Sequence, residues 1–347
     1  MTPPRADAPL IDVLIPSCER SCALAVTLTA LSAQHVRNFR ITISDQSEGE
    51  GVGASAEVRA VLRYLQARGL EVQLISHLPR RGMAEQRAFL LSRVSAPYCL
   101  FLDDDVILEP DLLGRLLQSM REQECGFVGS ALHGLSFLDD ERPHQQAIEF
   151  WNSRVHPETV TPGQAAWSRH HLHSAANLFH VQRRMQAEEG GVQRQVASQA
   201  GSDTPYQAGD QADEQAEAQA NQQPEAQANE RAKAHSNERA AAQANAQAAH
   251  QSEERAAHQP RRQATRHYRV AWIGGCVLFD TGKLREVGGF DFWPELPASH
   301  CGEDVLAQLR VMARFGGCGI FPSGAYHMEL PTTIVTREVD APKVLAG

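Results

Sequence analysis

Residues 98–105 read Tyr98-Cys99-Leu100-Phe101-Leu102-Asp103-Asp104-Asp105. An apolar run of strand length ends abruptly in three carboxylates. Adjacent like charges repel and are expensive to desolvate, so such a cluster at a strand end requires a cation. Asp103 and Asp105, at i and i+2, can reach one divalent ion. Mg²⁺ or Mn²⁺ accepts one or two carboxylates and completes its shell with water and substrate phosphates. The alternative is an acidic turn, with Asp105 close to the N-terminus of the helix that Pro110 opens.

The surrounding pattern says what kind of sheet this strand joins. Strands are expected at 11–15 (IDVLI, ended by Pro16), 39–44, 70–75 and 98–102. Helices are expected at 24–31, at 58–65 with Gly69 as a stop, and at 84–94. Another starts at Pro110, with Leu112, Leu113, Leu116 and Leu117 on one face. Strands that alternate with helices imply a parallel sheet whose ligands bind outside the carboxyl ends of the strands. Polar residues gather at those ends: Ser17 and Glu19 after the first strand, Asp45 and Ser47 after the second, and the aspartates after the fourth. Gly51-Val52-Gly53-Ala54-Ser55-Ala56 fits the loose dinucleotide fingerprint, but it does not follow its strand directly, and the next strand ends without a ribose-binding acid. Further along, Gly82 permits a tight turn at a helix start. Arg81 and Arg87 either neutralise a diphosphate there or face solvent.

The chain has 347 residues, of which 42% are apolar, enough for one large or two modest domains with a packed core. A net charge of −9 argues against a general nucleic-acid binder, which would carry a basic face. The seven cysteines show neither a disulfide framework nor zinc-ligand spacing, so reduced thiols and a cytoplasmic location are expected. The first residues lack the apolar core of a signal peptide, and no run reaches the roughly 18 apolar residues of a membrane span.

Residues 186–262 differ from the rest. Apart from alanine, their only apolar side chains are Val192, Val196 and Tyr206, and an approximate repeat (EAQANQQP, EAQANERA, KAHSNERA) runs through them. Seven basic and twelve acidic residues leave this tract at −5. A helix polar all round has little to hold it, so a disordered or transiently helical, low-complexity insertion is expected. It divides the body into 1–185 and 263–347. Of the histidines, His235, His250 and His258 fall in the repeat and read as solvent-exposed. His170, His171 and His173 are denser, but no carboxylate or cysteine accompanies them as a metal set.

In chain order, these segments resemble the family-2-type glycosyltransferases, which have the GT-A fold. Asp12-Val13-Leu14-Ile15-Pro16-Ser17 resembles the family's opening strand and turn. Asp45-Gln46-Ser47 resembles the acidic motif after strand two, Arg81-Gly82 to Arg87 the NxGxxxARN segment, and Phe101 to Asp105 the FLDADD motif. Trp272-Ile273-Gly274-Gly275 to Phe279 is similar to the acceptor-side stretch. Val287-Gly288-Gly289-Phe290-Asp291 and Gly302-Glu303-Asp304-Val305 to Arg310 are similar to the motifs that follow it.

The resemblance implies a Rossmann-like, mostly parallel sheet flanked by helices. It implies transfer of a sugar from a nucleotide-diphosphate donor, a UDP- or GDP-sugar, to a saccharide, lipid-linked or small-molecule acceptor, with inversion and with Mn²⁺ or Mg²⁺ as cofactor. Pro16, Ser17, Glu19, Asp45, Arg81, Arg87, Asp103 and Asp104 would bind the donor. Asp105, Asp103 and His327 would hold the metal. Trp272, Gly274, Gly275 and Glu303 would face the acceptor, and Asp304 matches the catalytic base. Residues 1–185 would form the donor part and 263–347 the acceptor and base part of one domain. The stretch 139–185 matches nothing in the family pattern; its Trp151 and Trp167 either stack on acceptor sugars, making it an acceptor region, or are simply buried.

The chain departs from the family at Glu19, where many members have Asn, and at Gln46, which replaces an acid. A sugar nucleotidyltransferase would carry a Gly-rich loop after strand one, which Pro16-Ser17-Cys18-Glu19-Arg20 is not. A non-catalytic nucleotide-sugar or glycan-binding protein would have little reason to keep Asp103, Asp105 and Asp304 together.

Overall fold

The computed structural model describes residues 8–200, 264–332 and 338–345. The chain divides into two compact units, Met1–Gly190 with Thr265–Gly347, and Gly191–Ala264. The repeat expected within 201–263 lies outside the described residues.

The first half of the chain alternates as expected. Strands β1 (Ile11–Ser17), β2 (Phe39–Asp45), β3 (Glu71–Ser76) and β4 (Tyr98–Leu102) are joined by helices α1 (Ser21–Ser32), α2 (Ala56–Ala67) and α3 (Met83–Ser92). Strand β1 is buried along its whole length, as a strand covered on both faces must be. It runs through Pro16 to Ser17 instead of ending at the proline. Its one buried charge, Asp12, pairs with Arg40 at 2.7 Å and accepts hydrogen bonds from the backbone amides of Ser95 and Ala96. Strand β3 is the partly exposed edge. Short strand β5 (Val106–Leu108) and helix α4 (Leu112–Gln123) follow the aspartates, and α4 buries Leu112, Leu113, Leu116, Leu117 and Met120 along one face. Truncating such a residue, for instance Leu116→Ala, costs about 2–5 kcal/mol.

Besides 3₁₀ helices, the remaining described elements are β6 (Phe127–Gly129), β7 (Leu132–Gly134), α5 (Asn177–Ala200), β8 (Arg266–Tyr268), β9 (Cys276–Asp280), α6 (Thr281–Glu286), α7 (Glu303–Phe315), β10 (Gly317–Phe321), β11 (Ala325–His327) and α8 (Ala341–Leu345). Helix α5 continues past residue 186, where the insertion is expected to begin, as far as Ala200. Among the described residues, the main sheet has the order β3-β2-β1-β4-β9-β6-β10-β8, and β5-β11-β7 form a second, small sheet. Pairings within β3-β2-β1-β4 are parallel. Strand β9 is antiparallel to both its neighbours, and β8 is antiparallel to β10.

Two registers position the site. Strand β9 runs against β4 with Cys276 opposite Leu102, so Gly274 and Gly275, just before β9, meet Asp103, just after β4. The Asp103 amide donates to the Gly275 carbonyl at 2.9 Å. Gly275 has φ +76°, and a Cβ there would lie 2.4 Å from Leu132 and 3.1 Å from the Asp103 carboxylate, so only glycine fits. In the small sheet β11 runs against β5 with His327 opposite Val106, which delivers the imidazole to Asp105.

Candidate active site

A cleft of about 300 Å³ opens at the carboxyl ends of β1 and β4. Its floor is Asp103, Asp104 and Asp105; Ser17 and Arg20 line it from the β1 loop, Gln86 and Arg87 from α3, and Glu303 and Asp304 from the start of α7. A second cavity, of about 330 Å³, adjoins it and shares Asp103, Gly274, Gly275 and His327. Leu132, Phe137 and His173 are among its other walls.

Each aspartate has its own surroundings. Ser17 Oγ donates to Asp104 Oδ2 at 2.7 Å, as expected from the parallel in-register pairing of β1 with β4. Burial still pushes the Asp104 carboxyl up to about 6, against the opposing pull of Ser17 and Arg20. Asp105 is also buried, but its Oδ2 lies 3.3 Å from His327 Nε2 and 2.9 Å from Arg20 Nη1. Burial resists its ionisation, yet the His327 hydrogen bond and the two cationic partners outweigh that penalty and hold its pKa below the ordinary carboxylate value. The same hydrogen bond raises the pKa of His327.

At the opposite wall, Arg87 is buried at the centre of a clamp. Its Nε donates to Glu303 Oε1 at 3.1 Å, its Nη2 lies 3.4 Å from Asp103 Oδ1, and its guanidinium sits 5.5 Å from the centroid of Phe101. Glu303 therefore spends its charge on Arg87. The neighbouring Asp304 has no such ion pair among the described residues. Desolvation, with the Glu303 charge adding to it, lifts the Asp304 carboxyl to about 7. Both acids lie in the first turn of α7, a favourable place for negative charge.

Other residues singled out from the sequence fall elsewhere. Asp45 is buried and accepts from the backbone amides of Ser47 and Val52 at 2.9 and 2.8 Å, so it shapes the loop after β2. Pro16 lines the cleft; Glu19 is exposed, and its amide donates to Ser47 Oγ at 2.7 Å, tying the first two loops together. Arg81 is exposed and does not line the cleft. Trp272 packs its ring on Trp167 and His170, behind the glycines. His173 lies within hydrogen-bond distance of the Trp272 carbonyl (2.9 Å) and the Tyr268 hydroxyl (3.0 Å), which gives this histidine a structural job.

Two cleft residues carry no mark in the sequence. Arg20 bridges Asp104 and Asp105. His300 is buried, and its Nε2 accepts from the Ala84 amide at the start of α3. A Cβ on Gly82 would lie 2.5 Å from His300, so the turn predicted at Gly82 is needed to admit this ring. Arg20 was legible in principle, because it follows the first strand at the level of the aspartates that follow the fourth.

The donor set fits a divalent ion of the Mg²⁺ or Mn²⁺ kind. Asp105 Oδ2 and His327 Nε2 converge on one another, one hard oxygen and one imidazole nitrogen at the cleft floor, with Asp103 beside them. No group of three or more His, Cys, Asp or Glu side chains among the described residues surrounds a single metal position. The protein would thus supply few ligands and leave the rest to phosphate and water, the usual arrangement for Mg²⁺.

Residues 12–185, half of the chain, match the family model described as glycosyl transferase family 2. The chain belongs to glycosyl transferase family 2, which makes it a glycosyltransferase by class, built on a GT-A type sheet. No curated protein matches the sequence. Among solved structures, the mannosyltransferase PcManGT from Pyrobaculum calidifontis, in complex with GDP-Man and Mn²⁺, is similar at 16% identity and TM-score 0.31, over 38% of this chain and 38% of that one. S. aureus TarS 1–349 is similar at 15% identity and TM-score 0.32, over 44% of this chain and 41% of that one. Its complex with UDP-GlcNAc gives 14% identity and TM-score 0.29, over 44% and 38%. The likeness spans less than half the length of each of these proteins. No described helix is long and apolar enough to cross a membrane.

Proposed function

We propose that the protein moves a sugar from a nucleoside-diphosphate donor, a UDP- or GDP-sugar, to an acceptor hydroxyl in one inverting displacement that depends on Mn²⁺ or Mg²⁺. The observation that carries this reading is one cleft, in a family 2 glycosyltransferase chain, lined both by Asp103, Asp105 and His327 and by Asp304 at the start of α7, with Asp105 Oδ2 3.3 Å from His327 Nε2. A paired assignment of this kind separates an ion-holding group from a proton-handling group. It also favours an enzyme over a binding module, which has no use for a carboxylate with a near-neutral pKa.

In this reading Asp105 and His327 would hold the metal, with Asp103 beside them, and Lewis-acid stabilisation of the departing diphosphate is the chemistry it would supply when bound. Asp304 accepts the proton of the acceptor hydroxyl while the oxygen bonds to the anomeric carbon. The bond from that carbon to the diphosphate oxygen breaks, and its electron pair leaves with the diphosphate. Arg87 acts through others: it fixes Glu303, and with it the first turn of α7, and it orients Asp103. The second cavity receives the acceptor, a saccharide, lipid-linked or small molecule, because it meets the donor cleft at Asp103 and the two glycines. All seven cysteines are free thiols, which supports a reducing, cytoplasmic setting.

The test is a panel of UDP- and GDP-sugars with and without Mn²⁺, followed by proton NMR of the product. Metal-dependent release of nucleoside diphosphate, with an anomeric configuration opposite to the donor's, is expected. Retention of configuration would refute the single displacement, and tight donor binding without turnover on any acceptor would favour a binding module.

A further inference from the structure

Arg20 is the cation that the aspartate cluster already has. It extends from the loop between β1 and α1, and its side chain is 17% exposed. Nη1 donates to Asp105 Oδ2 at 2.9 Å and to Asp104 Oδ1 at 3.3 Å, while Nη2 donates to the Pro331 carbonyl. The guanidinium thus bridges two carboxylates and ties them to the segment that carries Leu330 and Thr332 along the cleft. The oxygen it holds on Asp105 is the one that faces His327 Nε2.

A divalent ion ligated by that oxygen would lie roughly 2.0–2.1 Å from it. Arg20 cannot stay hydrogen-bonded to the same oxygen, because a guanidinium and a divalent ion at that spacing repel each other with little water between them. Asp104 offers Arg20 no full replacement, since its Oδ2 is already taken by Ser17. The planar fork suits phosphate oxygens as well as carboxylates, and Arg20 lines the cleft in which the diphosphate would lie.

Resting on the metal-dependent reading above, we propose that Arg20 is an exchangeable counter-ion. It guards Asp105 in the free protein, yields that carboxylate when a divalent cation arrives, and then binds the donor's diphosphate. Arg20 therefore opposes metal binding alone and favours binding of metal and nucleotide together. A residue that only supported the fold would not change these two affinities in opposite directions.

The experiment measures Mn²⁺ binding by electron paramagnetic resonance on the full chain, first alone and then with UDP or GDP present. Arg20→Gln should bind Mn²⁺ alone about tenfold more tightly than the wild type, the scale of removing one adjacent positive charge. It should bind the Mn²⁺–nucleoside diphosphate about tenfold more weakly, the scale of one lost charge-assisted contact. Arg63→Gln, on the exposed side of α2, controls for net charge and should change neither. Arg20→Lys keeps a charge but not the fork, so it should weaken nucleotide binding and serves if Arg20→Gln proves unstable by circular dichroism. If the wild type binds Mn²⁺ through Asp105, as shown by its loss in Asp105→Asn, but Arg20→Gln binds no more tightly, the exchange is wrong and the metal reading stands. If Arg20→Gln and Arg20→Lys bind the Mn²⁺–nucleotide as well as the wild type, the diphosphate role is wrong. If the wild type binds no Mn²⁺ even with nucleotide, both readings fail.

Discussion

The two acidic pairs that line the cleft have similar composition and different partners. Asp104-Asp105 and Glu303-Asp304 are each a pair of neighbouring carboxylates, and each has one arginine. At the floor, Arg20 and His327 both reach Asp105, which stays ionised. At the wall, Arg87 pairs with Glu303, and desolvation of the half-buried Asp304, with the Glu303 charge adding to it, raises that carboxyl to about 7. Each pair keeps one carboxyl beside close cationic partners and one that desolvation raises, Asp104 to about 6 and Asp304 to about 7. Local sequence chemistry is alike in the two places; the long-range partner decides.

The largest expected effect comes from removing the proton acceptor. Asp304→Asn should lower kcat by roughly 10²–10⁴-fold, the usual worth of general-base catalysis. Donor affinity, measured by titration calorimetry, should hardly change, because this group acts when the acceptor attacks. A loss of donor affinity instead would move Asp304 to the other side of the comparison. Next, Asp105→Asn should weaken Mn²⁺ binding by at least about 100-fold, more than the loss of an outer-shell partner costs. Full Mn²⁺-dependent activity in this variant would show that the floor cluster holds no metal.

Arg87→Gln tests the wall. It leaves Glu303 buried without its partner, which should destabilise the fold by about 3–5 kcal/mol in a denaturant titration. Because the Arg87 charge lowers the Asp304 pKa, its loss should also move the acidic limb of the rate profile to higher pH. The smallest effect needs no mutation. Asp304 works ionised, and its pKa is raised to about 7. In the wild type, kcat/KM should therefore rise with pH, about tenfold per unit below that value, and level off above it. A profile already flat at pH 5 would mean that a carboxylate of ordinary pKa takes the proton.

The parallel half was legible because its signals are local. Residues 98–102 show strand length and an abrupt end, and β4 occupies the predicted positions. The apolar spacing of Leu112 to Leu117 marks the buried face of α4. What escaped reading depends on distant pairing. Nothing within residues 276–280 says that they enter the sheet antiparallel between β4 and β6. His327 could be grouped with Asp105 only through the family resemblance, because its strand of three residues is too short to show a period. Arg87 looks like a surface arginine on a helix until Glu303, 216 positions away, is placed beside it. The stretch from 139 to 176 holds one 3₁₀ turn, a nine-residue 3₁₀ helix at Ala165–His173 and a single bridge from Phe150 to Tyr268, so it offered neither the α-helical nor the strand period.

The placement of β9 has a consequence for the order in which the protein is made. Ribosomes deliver the chain from its N-terminus, and β4 and β6 flank a slot that only residues 276–280 fill. When translation has passed Asp105, the donor half can assemble. Its β4 edge stays unpaired until the whole stretch from 130 to 275 has been synthesised, and an open edge invites pairing with other chains. The slot also withholds chemistry, since Asp304 is synthesised after β9. A nascent chain therefore carries Asp103 and Asp105 early and acquires Asp304, the proposed proton acceptor, only later. Ribosome-stalled chains ending before residue 276 should be protease-sensitive across β4 and β6, and chains extending past residue 330 outside the exit tunnel should be resistant. Early resistance would show that the donor half closes its sheet without β9.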